Sequence, residues 1–490
     1  MTFDVIIVGG GGSGLAAAVS AAENGCSVVL LEKQPQLGGT TGIAVGSFTA
    51  NSTAYQSRAG IQDNPDDHAI DAGKFAAPDI EACNNEELRR FLLENAADTL
   101  DWLTGMGLNF HGPSPEPPNR VPRMHNVVPG AKAYIATLQS HLLRLDGTIL
   151  CSADVRELIQ DEEGITGVEA VIENKPVTLT AKRAVVLAAG DYANSPELIA
   201  RFKGDRFAKV EGINPHSTGD GHRLAEKAGA KLLNMDITYG PELRFIPPPG
   251  RTFQQLLPTH GVLAKLMGLL LPLVPGFVLQ AMIRRLLVTW QHPEDSLFDD
   301  GAILINSRGE RFCDETQAKE REIAIADQPD KMAYILLDQQ LIERYSEWPN
   351  FISTAPKIAY AYVEDYLRLR PDVAIAGDSM EELARVRGIP VATLAETVKA
   401  YNSSERHDRP PLDGKRWCLL GPAKAYFTTT EGGAAIDKSF RVLDEEGKPI
   451  PGLYAIGQNG LGGQILWGHG LHIAWAMTSG RLCGVTVARA

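Results

Sequence analysis

Val5 to Val8 is a short, continuous apolar run of β-branched type, which predicts a buried strand. Gly9-Gly10-Gly11-Gly12-Ser13-Gly14 follows it at once, and an alanine-rich stretch of helical character then runs to Asn24. A second apolar run, Ser27 to Leu31, predicts another strand and ends in Glu32. Further along, Leu88, Phe91, Leu92, Leu100 and Leu103 share one face of a helix expected over Glu81 to Leu103, with Trp102 read as a core residue. Leu471 to Val487 predicts a closing helix after a glycine-rich stretch from Gly460 to Gly470. No internal repeat or low-complexity segment interrupts these patterns.

One tract stands apart. Leu266 to Ile283 has 18 residues without a formal charge, bounded by Lys265 and by Arg284-Arg285. Its length satisfies the rule for a membrane span, but Pro272, Pro275 and Gly276 break a helix at its centre. Two short apolar helices around a proline turn fit better. They would be buried, or would form a surface that dips into one membrane leaflet or receives apolar substrate.

Composition narrows the class. With 44% hydrophobic and 22% charged residues over 490 positions, the chain is globular and can fill more than one core. Lys and Arg number 47 against 60 Asp and Glu, a net charge of −13, which argues against nucleic acid as a partner. Six cysteines lie far apart, without a C-x-x-C pair or a haem-attachment site, and read as free thiols in a reducing compartment. No metal site is expected. Met1 leads into an apolar strand with no basic segment before it, so a cytoplasmic protein is expected, with peripheral membrane contact left open.

The glycines carry the first chemistry. Gly9, Gly11 and Gly14 satisfy G-x-G-x-x-G between strand and helix: the first permits the turn, the second admits a pyrophosphate, the third lets helix pack on strand. The anion then rests on free N–H groups at the helix start. Glu32 lies 18 residues beyond Gly14, where a carboxylate can accept the ribose hydroxyls of an adenosine. Small residues in Gly38-Gly39-Thr40-Thr41, and no visible nicotinamide-type substrate domain, point to FAD rather than NAD.

Three later segments complete a pattern: Val185-Val186-Leu187-Ala188-Ala189-Gly190, Thr218-Gly219-Asp220-Gly221 and Gly452-Leu453-Tyr454-Ala455-Ile456-Gly457. In that order they resemble the flavoprotein superfamily of fumarate reductases, urocanate reductases, 3-ketosteroid dehydrogenases and cyclohexanone dehydrogenases. The resemblance implies an α/β fold: a Rossmann-like, glutathione-reductase-type FAD-binding domain with an inserted α+β cap. Residues 1–240 and 422–490 would form the FAD-binding domain in two parts, and residues 241–421 the cap, including the apolar tract 262–290. It also implies contacts to FAD from Gly9, Gly11, Gly12, Ser13, Gly14, Glu32, Lys33, Gly39, Thr40, Thr41, Val155, Ala189, Gly190, Gly457, Gln458, Gly470 and Leu471. Residues 38 to 50 hold no His, Cys or Tyr, so the FAD is expected to be non-covalent.

The family's dicarboxylate reductases clamp their substrate with a His before the last strand and an Arg in the final glycine-rich loop. Here the first segment reads Thr428-Thr429-Thr430-Glu431-Gly432-Gly433 and Trp467 stands about where the Arg belongs. The proton-donating Arg of those enzymes has only Lys319 and Arg321 as approximate counterparts. An unpaired buried carboxylate costs several kcal/mol, so a fumarate-like substrate fits poorly. The expectation is instead an enzyme that desaturates, or in reverse reduces, the α,β bond of an apolar cyclic ketone, steroid-like or cyclohexanone-like. It would remove an α-proton and pass hydride to flavin N5 in a chamber poor in charge.

Tyr192, Tyr239, Trp467 and His469 are the candidates for the catalytic wall, with His472, one helical turn on, as a lesser one. Arg123 and His125 form a family-like R-x-H that lines the substrate side in relatives, and Glu320 with Arg321 reads as a solvated pair. The partners expected are a hydrophobic small molecule and an external electron acceptor or quinone, because no second dinucleotide fingerprint and no iron–sulfur motif is found. The alternatives are a flavin-dependent ene-reductase acting on an enoate or enone, and a non-catalytic membrane-associated flavoprotein. Oligomeric state is left open.

Overall fold

The computed structural model describes residues 1–250, 257–258, 276–355, 359–405 and 409–490. Strand β1 (Thr2–Val8) pairs in parallel with β2 (Val28–Glu32) on one side and with Lys175–Leu187 on the other. The sheet runs Arg441–Leu443, Pro449–Ala455, Lys175–Leu187, β1, β2, Thr148–Cys151, and the antiparallel strands Ala153–Asp161 and Gly164–Ile172 extend from Lys175–Leu187. Its central strands are apolar on both faces because both faces are covered, as parallel sheets require.

Helix α1 (Gly12–Glu23) covers one face and packs along the C-terminal helix Leu471–Arg489. Small residues set their closeness: a side chain at Gly480 would stand 2.5 Å from the Ser13 carbonyl. The helix expected over Glu81 to Leu103 begins instead at Glu86 and runs to Gly105, since the Asn85 side chain accepts the Leu88 N–H and caps it. Trp102 is partly buried on the first core and donates its indole N–H to Glu23 at 3.1 Å.

A second sheet is built on Trp417–Phe427, which pairs with Glu211–Gly212, Ala333–Leu337, Glu242–Phe245 and Ala374–Gly377. The buried apolar residues fall into two clusters. One gathers β1, α1, β2 and the C-terminal helix; the other spans Tyr192 to Phe427 around Ile335, Leu419 and Phe427. The cleft between them receives the ends of the parallel strands, where α/β sheets bind ligands.

Much of the apolar tract 262–290 lies outside the described residues; its end forms the helix Gly276–Trp290. Among the described residues no helix is long and apolar enough to cross a membrane.

Arg123 and His125 do not face this cleft. Arg123 is buried with Asp63, whose two oxygens it meets at 2.7 and 2.8 Å, and with Asp71 at 2.7 Å; His125 Nε2 meets the Thr53 hydroxyl at 3.0 Å. Their polar atoms are spent on holding the loops around a three-stranded sheet. Arg321 is likewise buried on Glu322, while Glu320 forms an exposed pair with Arg206 rather than with Arg321.

Candidate active site

A cavity of about 930 Å³ runs from the first glycine turn to the mouth between the two cores, within the range that holds a drug-sized or cofactor-sized ligand. At its inner end Gly9 has φ +115°, and a Cβ there would lie 2.3 Å from the Ala188 carbonyl oxygen, so the turn admits only glycine. A Cβ on Gly14 would meet the Gly9 oxygen at 1.9 Å, which places Gly14 in helix–strand packing rather than in the lining. At Gly11 the nearest such neighbour is 3.9 Å away: this is the open space a phosphate takes, above the free N–H groups of the first turn of α1.

Glu32 ends β2 with Oε2 accepting the Gly10 N–H and Oε1 the Gln34 N–H, each at 2.8 Å. Its remaining lone pairs can accept sugar hydroxyls. Lys33 Nζ reaches Asp220 at 2.6 Å and Thr218 at 2.7 Å, which ties the second strand to the Thr218-Gly219-Asp220-Gly221 segment. Ser13, Gly12, Thr40, Thr41 and Gly39 line the same wall, as do Val155, Ala189, Gly190, Gly457, Gln458 and Gly470. Leu471 is buried behind it. Trp475 donates its indole N–H to the Gly457 carbonyl at 3.0 Å and fixes that loop on the last helix. Gap, glycine cradle, terminal carboxylate and two helix N-termini together suit a dinucleotide.

The outer end carries the side chains suited to proton transfer. Tyr239 meets Trp467 edge to face, ring centres 5.2 Å apart, and both line the cavity. Burial pushes the Tyr239 phenol up to about 12, and the Glu242 charge adds to this. His469 lines it too, its side chain 60% accessible and opening into the cleft. Glu116 Oε1 accepts from both the His469 backbone N–H and Nδ1 at 2.6 Å. That bond holds the His469 imidazole above its ordinary range. His472 Nε2 meets Glu431 Oε1 at 2.9 Å; burial acts to lower it, but Glu431 and the Asp191 charge outweigh that and raise it.

Two expectations are corrected here. Tyr192 is fully buried in the second core, its hydroxyl donating to the Met235 carbonyl at 2.6 Å, so it does not reach the cavity. The chamber is not poor in charge either. Besides the two glutamate–histidine pairs, Arg244 lines it and binds Glu242 at 2.6 Å, and the Thr428 hydroxyl donates to the same carboxylate at 3.2 Å. Glu116, Glu431, Arg244 and Glu242 were not anticipated. Glu116 comes from a proline-rich loop with no sequence signal, whereas Glu431 stands in the Thr428–Gly433 segment already noted for what it lacks.

A family model described as FAD binding domain matches residues 4–263 and 275–465. Fumarate reductase (cytochrome) of Shewanella frigidimarina is 27% identical over 509 residues, covering 100% of this chain and 77% of that protein. Vinyl phenol reductase of Lactiplantibacillus plantarum is 27% identical over 516 residues, covering 99% and 96%. Among solved structures, the open conformation of a flavocytochrome c3 fumarate reductase superposes with a TM-score of 0.74 at 25% identity, covering 100% of this chain and 78% of that one. The 3-ketosteroid delta1-dehydrogenase of Sterolibacterium denitrificans in complex with 1,4-androstadiene-3,17-dione gives 0.65 at 20% identity, covering 100% and 99%, and shares the fold. The cofactor is therefore FAD.

Proposed function

The chain belongs to the FAD binding domain family and is an FAD-dependent oxidoreductase of CH–CH and C=C bonds; from that premise we propose that it reduces a C=C bond conjugated to one neutral polar group, a carbonyl or phenol, of a largely apolar substrate. When bound, FAD supplies hydride to one carbon of that bond. The chain's own residues provide the rest. Tyr239 donates a hydrogen bond to the polar group, and Glu116 holds the His469 imidazolium as the acid that protonates the neighbouring carbon. Trp467 and Leu257 offer apolar contact, and the 241–421 segment, which contributes Arg244 and Gln291 to the lining, acts as the cap that limits water.

One observation carries the substrate class: Arg244, the arginine in the described lining, is already bound to Glu242, and Trp467 lines the same wall. A dicarboxylate would bring two charges to a wall whose Arg244, His469 and His472 are each already paired with a glutamate. The same site supports reduction over the desaturation expected from sequence. Both the phenol and the imidazole are shifted toward their protonated forms, and removing an α-proton needs a base. Cyclic ketones fit as products of the reduction. Electrons arrive from an external donor such as a quinol or cytochrome, for which the sequence has no internal relay. The test is product analysis with a reduced viologen as donor over paired substrates. Turnover of cyclohexenones or vinyl phenols but not of fumarate is expected, and turnover of fumarate alone overturns the assignment.

A further inference from the structure

Asp191 plays no part in that chemistry, yet it lines the cavity and is 1% exposed. It follows Gly190 in the turn after the strand Lys175–Leu187. Its Oδ1 accepts the Ala193 N–H at 3.0 Å and its Oδ2 the Thr429 hydroxyl at 3.2 Å. Thr429 Oγ1 in turn accepts from Gln458 Nε2 at 2.6 Å, and Gln458 stands on the cavity wall. A continuous line of hydrogen bonds thus connects the cofactor cavity to a buried carboxyl.

The groups around that carboxyl come from three other elements. His472 faces it from the C-terminal helix, shared with Glu431 of the 429–431 arm, and Ser217 adds a hydrogen bond from its loop. The Tyr192 phenol adjoins it in sequence, with His222 beyond, ring centres 4.9 Å apart. Among the described residues no lysine or arginine pairs with Asp191. Burial raises the Asp191 pKa, because its charge is held only by the Ala193 N–H, the Ser217 and Thr429 hydroxyls and an imidazole shared with Glu431. Any negative charge arriving in the cavity raises it further.

We propose that Asp191 takes up a proton from solvent when the bound FAD is reduced, and returns it on reoxidation. Two electrons from the external donor and one proton from solvent reduce the FAD and leave one net negative charge. A solvent hydronium gives its proton to the Asp191 carboxylate: one hydronium O–H bond breaks, one O–H bond forms on the carboxyl, water is released, and the cavity returns to its former charge. The inference depends on FAD binding alone and is independent of which C=C bond is reduced.

Spectroelectrochemical titration of the holoenzyme between about pH 6 and 8 tests it. With two protons per two electrons, the wild-type reduction equilibrium shifts about a hundredfold per pH unit, about −59 mV; in Asp191→Asn it shifts about tenfold, about −30 mV. Should that variant fail to retain FAD, reduced-minus-oxidised infrared spectra of the wild-type holoenzyme decide the matter. A protonated-carboxyl C=O band that appears on reduction and moves in D₂O supports the proposal. A wild-type slope of about −30 mV, equal slopes in both proteins, or no such band overturns it.

Discussion

Replacing Glu116 by Gln isolates the role assigned to the His469 pair. The amide keeps the shape and an acceptor for the Nδ1–H, 2.6 Å away in the wild type, but removes the charge. A hydrogen bond to a charged group contributes about 1.5–3 kcal/mol against about 0.5–1.5 for a neutral one, so the imidazolium loses about 1 kcal/mol of support. At about 1.36 kcal/mol per unit, that lowers the His469 pKa by somewhat under one unit. His469 opens onto the cleft, and solvent screening keeps the effect at that low end.

The sign follows from the direction of the shift. Glu116 raises the His469 pKa, so the acid form persists below that value and is lost as pH rises through it. In Glu116→Gln the loss begins at lower pH. The kcat/KM profile, measured with a reduced viologen and an enone, should coincide with wild type on the acid side. On the alkaline side it should fall below wild type by a factor of about 5, with the flavin spectrum unchanged. An alkaline limb that stays where it was in the wild type refutes the role of His469 as the acid.

Tyr239→Phe removes the proposed donor while keeping the contact with Trp467, and kcat should fall by about 10²–10⁴ with FAD content intact; an unchanged kcat counts against it. Gly9→Ala sets a methyl 2.3 Å from the Ala188 oxygen at a left-handed backbone position, so the purified protein should be colourless, and full FAD absorbance would contradict the cradle. Arg123→Met strands Asp63 and Asp71 and should cost about 3–5 kcal/mol, read as a fall in Tm. Burial opposes ionisation of Asp71, but its bonds to Lys74, Arg120 and Arg123 outweigh that and hold its pKa well below the ordinary value. The stability it contributes is present above the ordinary carboxylate range and is lost as pH falls through the lowered one, so wild-type Tm should drop on acidification more steeply than that of Arg123→Met.

The cofactor half of the site was legible in sequence because its demands are local. Gly9, Gly11 and Glu32 sit within one strand–turn–helix–strand unit whose spacing alone places a pyrophosphate and a ribose. The outer half is assembled from long-range contacts that no local pattern records. Glu116 meets His469 across 353 positions, and Arg244 is silenced by Glu242 two residues away on a strand whose register is set by Trp417–Phe427. Tyr192 misled for the same reason: its place after Gly190 is right for a cofactor wall, but the Met235 carbonyl, 43 residues on, draws its hydroxyl into the second core. Arg123 and His125 have the spacing of a substrate-side pair, and the partners that claim them, Asp63, Asp71 and Thr53, lie 52 to 72 positions away.

The central claim is hydride delivery to a neutral, polarised alkene, and anaerobic stopped-flow of the pre-reduced holoenzyme tests it directly. Mixing with cyclohexenone should restore the oxidised flavin absorbance in a single saturable phase, while mixing with fumarate should leave the protein bleached. Rapid recovery with fumarate and none with any neutral enone or vinyl phenol would contradict the account.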